Sequence, residues 1–428
     1  MLIIAGLSRR VEALTLARYL AACFLFDGSL YLILTAVPLR AVDLRASALQ
    51  LGILPLLSSG VYVLAALLAG RLSDRLPRTA LARGGALLRC VVALAMTGAD
   101  SVAALMAWMP ALGIANALYW PAVQAAVGQL GRPERLARNL GHFNVSWSSG
   151  KMLGFLVGGI LVARGGAVPT LLAAAAATAL AGVILPGSHP ARGESEPKPK
   201  LKAKPEPEPN PEPEPRPEPE PKAKPRPEPK PMPGPKPTPE RDCSPSWRWI
   251  GWIANATLFG IGATLNFQYP KLMISLGLTG GDFGIYLGAV YLFQTLSFVV
   301  LTRWAGWHYR LAPLLMVQAI TLLSLGALGW LTSRWWIWAT APGLGLGLGI
   351  SYSSSIYYTL RGGTRAGRGA GIHEALLGSG TFLLPLIGGA FADLTDSLRA
   401  PYLLCCAVLL FVMAAEAHLV GRRRRSGL

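Results

Sequence analysis

Apolar residues run along this chain in blocks of about membrane thickness, separated by short polar breaks. A helix that crosses a bilayer needs roughly 20 mainly apolar residues. About twelve such blocks can be laid out with that ruler. They begin near Leu16, Leu51, Leu81, Val102, Leu140, Ala167, Trp249, Phe283, Leu311, Trp335, Gly371 and Pro401. The pattern predicts an all-α integral membrane protein. The third and sixth blocks are short or alanine-rich, and only Ser333 and Arg334 separate the ninth from the tenth.

One break is long. From about His189 to Ser246 the chain alternates Glu-Pro, Lys-Pro and Arg-Pro pairs. Proline lacks the amide proton that helix and sheet need, so this stretch is expected to be extended and solvated. Its charges nearly cancel and it carries no fixed aromatic motif, so a semi-rigid spacer is favoured over a docking site for a proline-binding module. The layout is therefore an N-terminal six-helix bundle over 1–188, a linker over 189–246, a C-terminal six-helix bundle over 247–421 and a basic tail over 422–428.

Composition agrees. The chain is 52% hydrophobic and 14% charged, where a soluble domain carries about 25% charged residues. A net charge of +18 invites a nucleic-acid reading, but the positions of the basic residues argue against it. Arg75, Arg135, Arg138, Arg365, Arg368 and the tail Arg422 to Arg425 all fall in short segments on the side of the termini. That is the bias that sets orientation in a membrane, and it places both termini in the cytoplasm beside the anionic leaflet. No soluble basic domain is visible. The five cysteines form no framework: Cys23, Cys90, Cys405 and Cys406 lie in apolar blocks and Cys243 in the linker. They read as small buried hydrophobes. No small-residue cleavage site follows the first block, which is expected to be a retained span.

Between the second and third blocks stands Gly70-Arg71-Leu72-Ser73-Asp74-Arg75-Leu76-Pro77-Arg78. A membrane hairpin needs only a polar turn at such a place. Gly70, Asp74, Arg75 and Arg78 resemble the loop signature of the major facilitator superfamily of transporters. The two halves also repeat one another. At one constant offset Arg135 pairs with Arg365, Arg138 with Arg368, Gly141 with Gly371, Gly150 with Gly380, and Gly158-Gly159 with Gly388-Gly389. The resemblance implies two parallel six-helix repeats with a site near the membrane midplane between them, and a role for Asp74 in the switch between states. The loop Thr302 to Arg310 of the second half keeps arginines but has no aspartate. In the fifth span Gly154-Phe155 replaces the glycine-proline of an antiporter signature.

Ionisable and polar groups at membrane depth are costly, so they are the candidate functional residues. Asp27 lies mid-span, with apolar neighbours for two turns on either side. It can take up and release a proton as a cavity alternates between faces, or it can pair with a buried cation. Lys151 is that cation. Asn144, Ser148 and Lys151 fall at i, i+4 and i+7 and are expected to form a polar cavity face, with Gly150, Gly154 and Gly158 as a packing face. His373-Glu374 near the start of the eleventh span could relay protons. Without a second histidine or cysteine at suitable spacing they form no zinc site. Arg89 is read as snorkelling to the interface and Glu416 as interfacial. In the resembled family the first, fourth, seventh and tenth helices line the cavity. That implies lining by Tyr31, Asn116, Tyr119, Trp120, Asn266, Gln268, Ser353 and Tyr357. The glycines from Gly343 to Gly349 lack the lysine and hydroxyl ending of a phosphate loop.

The sequence reading is a secondary active transporter that moves a small solute by alternating access, coupled to protons through Asp27, with efflux as one direction. It is not an enzyme, needs no cofactor or metal, and is monomeric in a bacterial inner membrane. The alternatives are an uncoupled facilitator, in which Asp27 only pairs with Lys151, and a non-transporting scaffold or receptor that uses the linker.

Overall fold

The computed structural model describes residues 2–73, 76–128, 130, 136–187, 245–361 and 366–425. The linker and the loop residues Asp74 and Arg75 lie outside them. The described chain is built of helices. In the first half these are α1 (Leu2–Asp43), α2 (Ala48–Pro55), α3 (Val61–Ser73), α4 (Arg78–Met96), α5 (Val102–Gly128), α6 (Leu136–Gly165) and α7 (Ala167–Ile184). In the second they are α8 (Pro245–Phe267), α9 (Tyr269–Ser275), α10 (Gly280–Arg303), α11 (Leu311–Trp330), α12 (Arg334–Trp338), α13 (Ala341–Arg361), α14 (Ala366–Thr395) and α15 (Ala400–Arg425).

Eleven of the described helical stretches are long and apolar enough to cross a membrane. The twelfth span is α13. Its 21 residues reach about 32 Å at 1.5 Å per residue, but Ser351 to Ser355 dilute its hydropathy. The tenth span thus starts at Ala341 rather than near Trp335. Trp335 and Trp336 belong to the short α12, and both are exposed, as tryptophans at a membrane–water interface are. The second span is α2 and α3 joined through a π-helical turn, Leu56–Gly60. Such a turn shifts the helix face locally and is frequent at functional sites.

Lipid tails are as apolar as leucine, so association between spans rests on close packing and on hydrogen bonds rather than on the hydrophobic effect. The repeated glycines show how. A Cβ on Gly150 of α6 would meet the Phe24 carbonyl of α1, and a Cβ on Gly380 of α14 would meet the Ala256 carbonyl of α8. Each half is thus built on the same close crossing of its first and fifth spans, and these are among the most extensive helix contacts in the fold. The next pair joins the halves. Gly159 of α6 lies against Gly284 of α10, and Gly389 of α14 lies against Ala48 at the start of α2. The halves therefore meet along two related seams, α6 with α10 and α14 with α2. Along the second span the contacts with α14 thin out from α2 through the π-turn to α3.

Two expectations are corrected. Arg89 does not snorkel: it is fully buried inside the first half, where it has polar partners that an apolar interface would not supply. Glu416 is not interfacial. It is fully buried between α15 and α11, and the Gln318 Nε2 donates to its Oε1 at 3.0 Å. Many large apolar side chains are exposed, such as Leu64, Leu323 and Phe411, which suits a surface facing lipid.

Candidate functional site

A cavity of about 220 Å³ lies between the halves. The four helices expected to line it, the first, fourth, seventh and tenth spans, all contribute, and the second, fifth, eighth and eleventh spans line it as well. Asp27 and Tyr31 come from α1, Ser58, Ser59 and Tyr62 from the second span, and Asn116, Trp120 and Gln124 from α5. Phe143, Trp147 and Lys151 come from α6. Across the cavity stand Phe259 and Asn266 of α8, Tyr291 of α10, Tyr352 of α13 and Glu374 of α14. Ser58 and Ser59 both belong to the π-turn.

Asp27 and Lys151 open onto this cavity although each is almost entirely buried, at 4% and 3% exposure. Lys151 sits among aromatic rings. Its Nζ is 3.8 Å from the centroid of Tyr291, 4.6 Å from that of Tyr31 and 5.4 Å from that of Phe259. An ammonium over ring faces in a desolvated site is held by the ring quadrupoles, worth about 2 kcal/mol. Tyr31 belongs to the first half, and Tyr291 and Phe259 to the second, so this cation bridges the two. Among the described residues the ion pair within 4.0 Å is Arg334 with Asp282, at 3.0 Å. Asp27 and Lys151 thus share the cavity without closing a salt bridge.

Behind Asp27 is a group the sequence reading placed elsewhere. The Arg89 guanidinium lies 3.3 Å from the Phe26 ring centroid. It donates to the Phe26 carbonyl, to Asn116 Oδ1 and, at 3.2 Å, to Ser29 Oγ. Asn116 Nδ2 in turn donates to the Leu112 carbonyl at 3.0 Å, which fixes the amide at the cavity wall. Arg89 is close enough to act electrostatically on Asp27. A lone arginine in an apolar block carries one sequence signal of this role, its depth in the third span.

The expected lining is only partly formed. Tyr31, Asn116, Trp120 and Asn266 line the cavity as expected from the resemblance. Tyr119 does not: it is stacked on Phe26 with centroids 3.4 Å apart, one layer back. The Asn144 and Ser148 side chains also lie off the cavity. Asn144 Oδ1 accepts from Trp147 Nε1 at 3.1 Å, and the Ser148 hydroxyl donates to the Val145 carbonyl at 3.3 Å. The cavity face of α6 is Phe143, Trp147 and Lys151 instead. The Gly150 crossing and the Ser146 hydroxyl on the Leu20 carbonyl, at 2.6 Å, set that rotation. On α13 the lining residues are Leu348 and Tyr352, one position round from Ser353 and Tyr357. Tyr357 stacks on His308, 4.1 Å between centroids.

His373 and Glu374 diverge, as consecutive residues of a helix must. Glu374 faces the cavity, where the Tyr62 hydroxyl donates to its Oε2 at 3.3 Å. His373 is buried toward α13 with Nδ1 2.6 Å from the Ser355 hydroxyl. The two do not form a relay through one site. Gln268 is not a lining residue: it is buried at one end of the cavity region, where its Nε2 donates to the Ala48 and Pro385 carbonyls, each at 2.9 Å. Of the loop signature, Gly70 lies in α3 and Arg78 opens α4, its Nη1 donating to the Ala125 carbonyl at 3.4 Å.

The sequence profile of the Major Facilitator Superfamily matches residues 19–372. No curated protein matches the chain. Solved structures do. A bacterial homologue of the human lysosomal transporter Spinster, inward-facing and unoccupied, superposes with a TM-score of 0.63 at 16% identity, over 95% of this chain and 96% of that one. Its occupied form gives 0.66 at 14% identity, over 96% and 97%. A variant of the nucleoside transporter NupG gives 0.68 at 11% identity, over 95% and 99%. At such identities the superpositions speak for the fold alone. Together with twelve spans in two related halves around a central cavity, the profile match establishes that the chain belongs to the Major Facilitator Superfamily.

Proposed function

We propose that this transporter carries a small amphiphilic or weakly charged solute by alternating access, and that Asp27 couples its movement to a proton. The observation that carries the reading is Asp27 itself, a carboxyl group on the wall of the cavity with Lys151 nearby and no closed ion pair between them. A closed pair would hold both charges in every state. An open one leaves the carboxyl group free to exchange a proton when the cavity is wet and to keep it when the site is occluded. The aromatic wall of Trp120, Trp147, Tyr291 and Tyr352, with Asn116, Gln124 and Asn266 among them, suits a solute with an apolar body and a few polar groups. The basic loops and tail support cytoplasmic termini and a bacterial inner membrane. The proline-rich segment acts as a spacer.

The test is transport in proteoliposomes. A panel of amphiphilic solutes is offered under an imposed pH gradient. Gradient-driven accumulation is expected from the wild type. Asp27→Asn is expected to lose it while still exchanging solute at equal concentrations. Wild-type protein that moves solute with no response to a proton gradient at any pH favours the uncoupled facilitator. The observation on that side is Arg89, a standing countercharge behind Asp27.

A further inference from the structure

The two seams between the halves are not chemically equivalent. The helices that begin at these seams, α2 and α10, each carry their own capping box. In α2, Ser47 Oγ accepts from Gln50 N–H and Gln50 Oε1 accepts from Ser47 N–H. In α10, Thr279 and Asp282 do the same. Such a box satisfies part of the first turn and leaves other N–H groups bare. On α2 those bare groups are taken from the opposite half. Asp393, near the end of α14, accepts from Ala48 N–H at 3.0 Å with Oδ1 and from Leu49 N–H at 2.8 Å with Oδ2. The carboxylate also lies at the positive end of the helix dipole. In the repeat, Asp393 corresponds to Ala163 of α6, which packs on Gly281 at the start of α10 with a methyl group alone. One seam is closed by small apolar contacts and the other by a polar clasp.

Two more groups of the second half hold the same turn. Lys271 Nζ donates to the Ala46 carbonyl at 2.6 Å, and Gln268 bridges the Ala48 and Pro385 carbonyls. The bonds that cross between the halves all fall on residues 46–49, between the first and second spans.

We propose that Asp393, Lys271 and Gln268 form a latch that holds the end of the cavity away from the termini shut, and that its release is a step of the transport cycle. The latch rests on the reading of the protein as an alternating-access transporter with cytoplasmic termini, so this end faces outward. Its parts suit repeated opening. Asp393 is exposed, so water can replace it on the two N–H groups. The α2 capping box lies wholly within the first half, so the helix keeps its start when the clasp lets go. The α6–α10 seam, with Gly159 against Gly284, stays packed and serves as the hinge.

The test places a single cysteine on the cavity wall, Ser59→Cys, in a chain whose five native cysteines are replaced. Labelling by a membrane-impermeant maleimide is followed from each face of sealed vesicles. Asp393→Ala is expected to raise labelling from the outer face roughly two- to thirtyfold, the range for losing a helix-start acceptor. Asp393→Asn keeps one acceptor oxygen and should fall between. Gln268→Leu removes the buried bond to Ala48 across the seam and should also raise it. Gln50→Ala removes the other arm of the capping box, weakens the start of α2 within its own half and should leave outer labelling unchanged. A cysteine at the fully buried Thr178 should stay unlabelled throughout, which separates opening from unfolding. Unchanged labelling in Asp393→Ala and Gln268→Leu overturns the latch. So does an equal rise in Gln50→Ala, because the effect would then be local fraying. If wild type is labelled from the outer face and the latch variants gain labelling from the cytoplasmic face, the orientation is wrong and the latch stands.

Discussion

Glu416 and Gln318 lock α15 to α11 through a pair whose stability can be worked out from the atoms left over. Gln318 Nε2 donates to Glu416 Oε1 at 3.0 Å, and the two remaining oxygens, Gln318 Oε1 and Glu416 Oε2, are buried with no partner. Both are acceptors if the acid is ionised. A proton on Oε2 turns one of them into a donor, and an acid–amide pair can then make two bonds at once. Glu416→Gln replaces the acid by an amide that also donates and accepts, and should change stability by less than about 1 kcal/mol. Glu416→Ala strands the Gln318 amide, at about 1–3 kcal/mol for an unpaired buried group. It also leaves a void of roughly one methylene and a carboxyl group, and together these should cost about 3–5 kcal/mol. Replacing both residues by leucine removes both polar groups and should recover most of that loss. The assay is thermal unfolding of purified protein in detergent, read for the three variants in parallel. A Glu416→Gln protein as unstable as Glu416→Ala would refute the reasoning. So would a double leucine variant less stable than Glu416→Ala.

Three further outcomes are expected. Neutralising Asp27 or Lys151 singly should each lower folding yield or transport, and a double-mutant cycle should show coupling through the shared cavity; additive effects would mean the two act separately. Gly150→Val should prevent the α1–α6 crossing and lower folded yield sharply, while Gly141→Ala, whose Cβ would meet nothing within 4 Å, should be neutral in the same expression and unfolding assays. Asp74→Asn should leave insertion intact and slow transport, measured as initial uptake in proteoliposomes against equal amounts of inserted protein; a wild-type rate would remove Asp74 from the mechanism.

The spans were legible because hydrocarbon demands it. A segment that crosses a bilayer must satisfy its backbone internally and cover it with apolar side chains, and both demands are local. The exception, α12 and α13, is informative: Trp335 is apolar by composition but sits exposed in a separate short helix, and only the break before Ala341 separates the two. The pairing of halves was legible through glycine, since Gly150 with Gly380 and Gly159 with Gly389 mark places where a side chain would collide with another backbone. The loop signature was equally local.

What the tertiary structure decided was rotation and neighbourhood. A soluble helix announces its inward face by being polar on the other. A membrane span is apolar toward lipid and toward protein alike, so the phase of α6 could not be read from its hydropathy. Of the expected polar stripe, Lys151 lies on the cavity face and Asn144 and Ser148 fall one residue away from it. The cavity took Phe143, Trp147 and Lys151 because Gly150 and Ser146 had to meet α1. In the same way Arg89 is set behind Asp27, Gln318 against Glu416, and Asp393 over the start of α2, by partners in other spans. The blocks, the break points and the repeat are properties of neighbouring residues, and the sequence by itself determined them. Which side chains share a cavity, a buried pair or a latch depends on helices that meet only after insertion, and packing alone determined that.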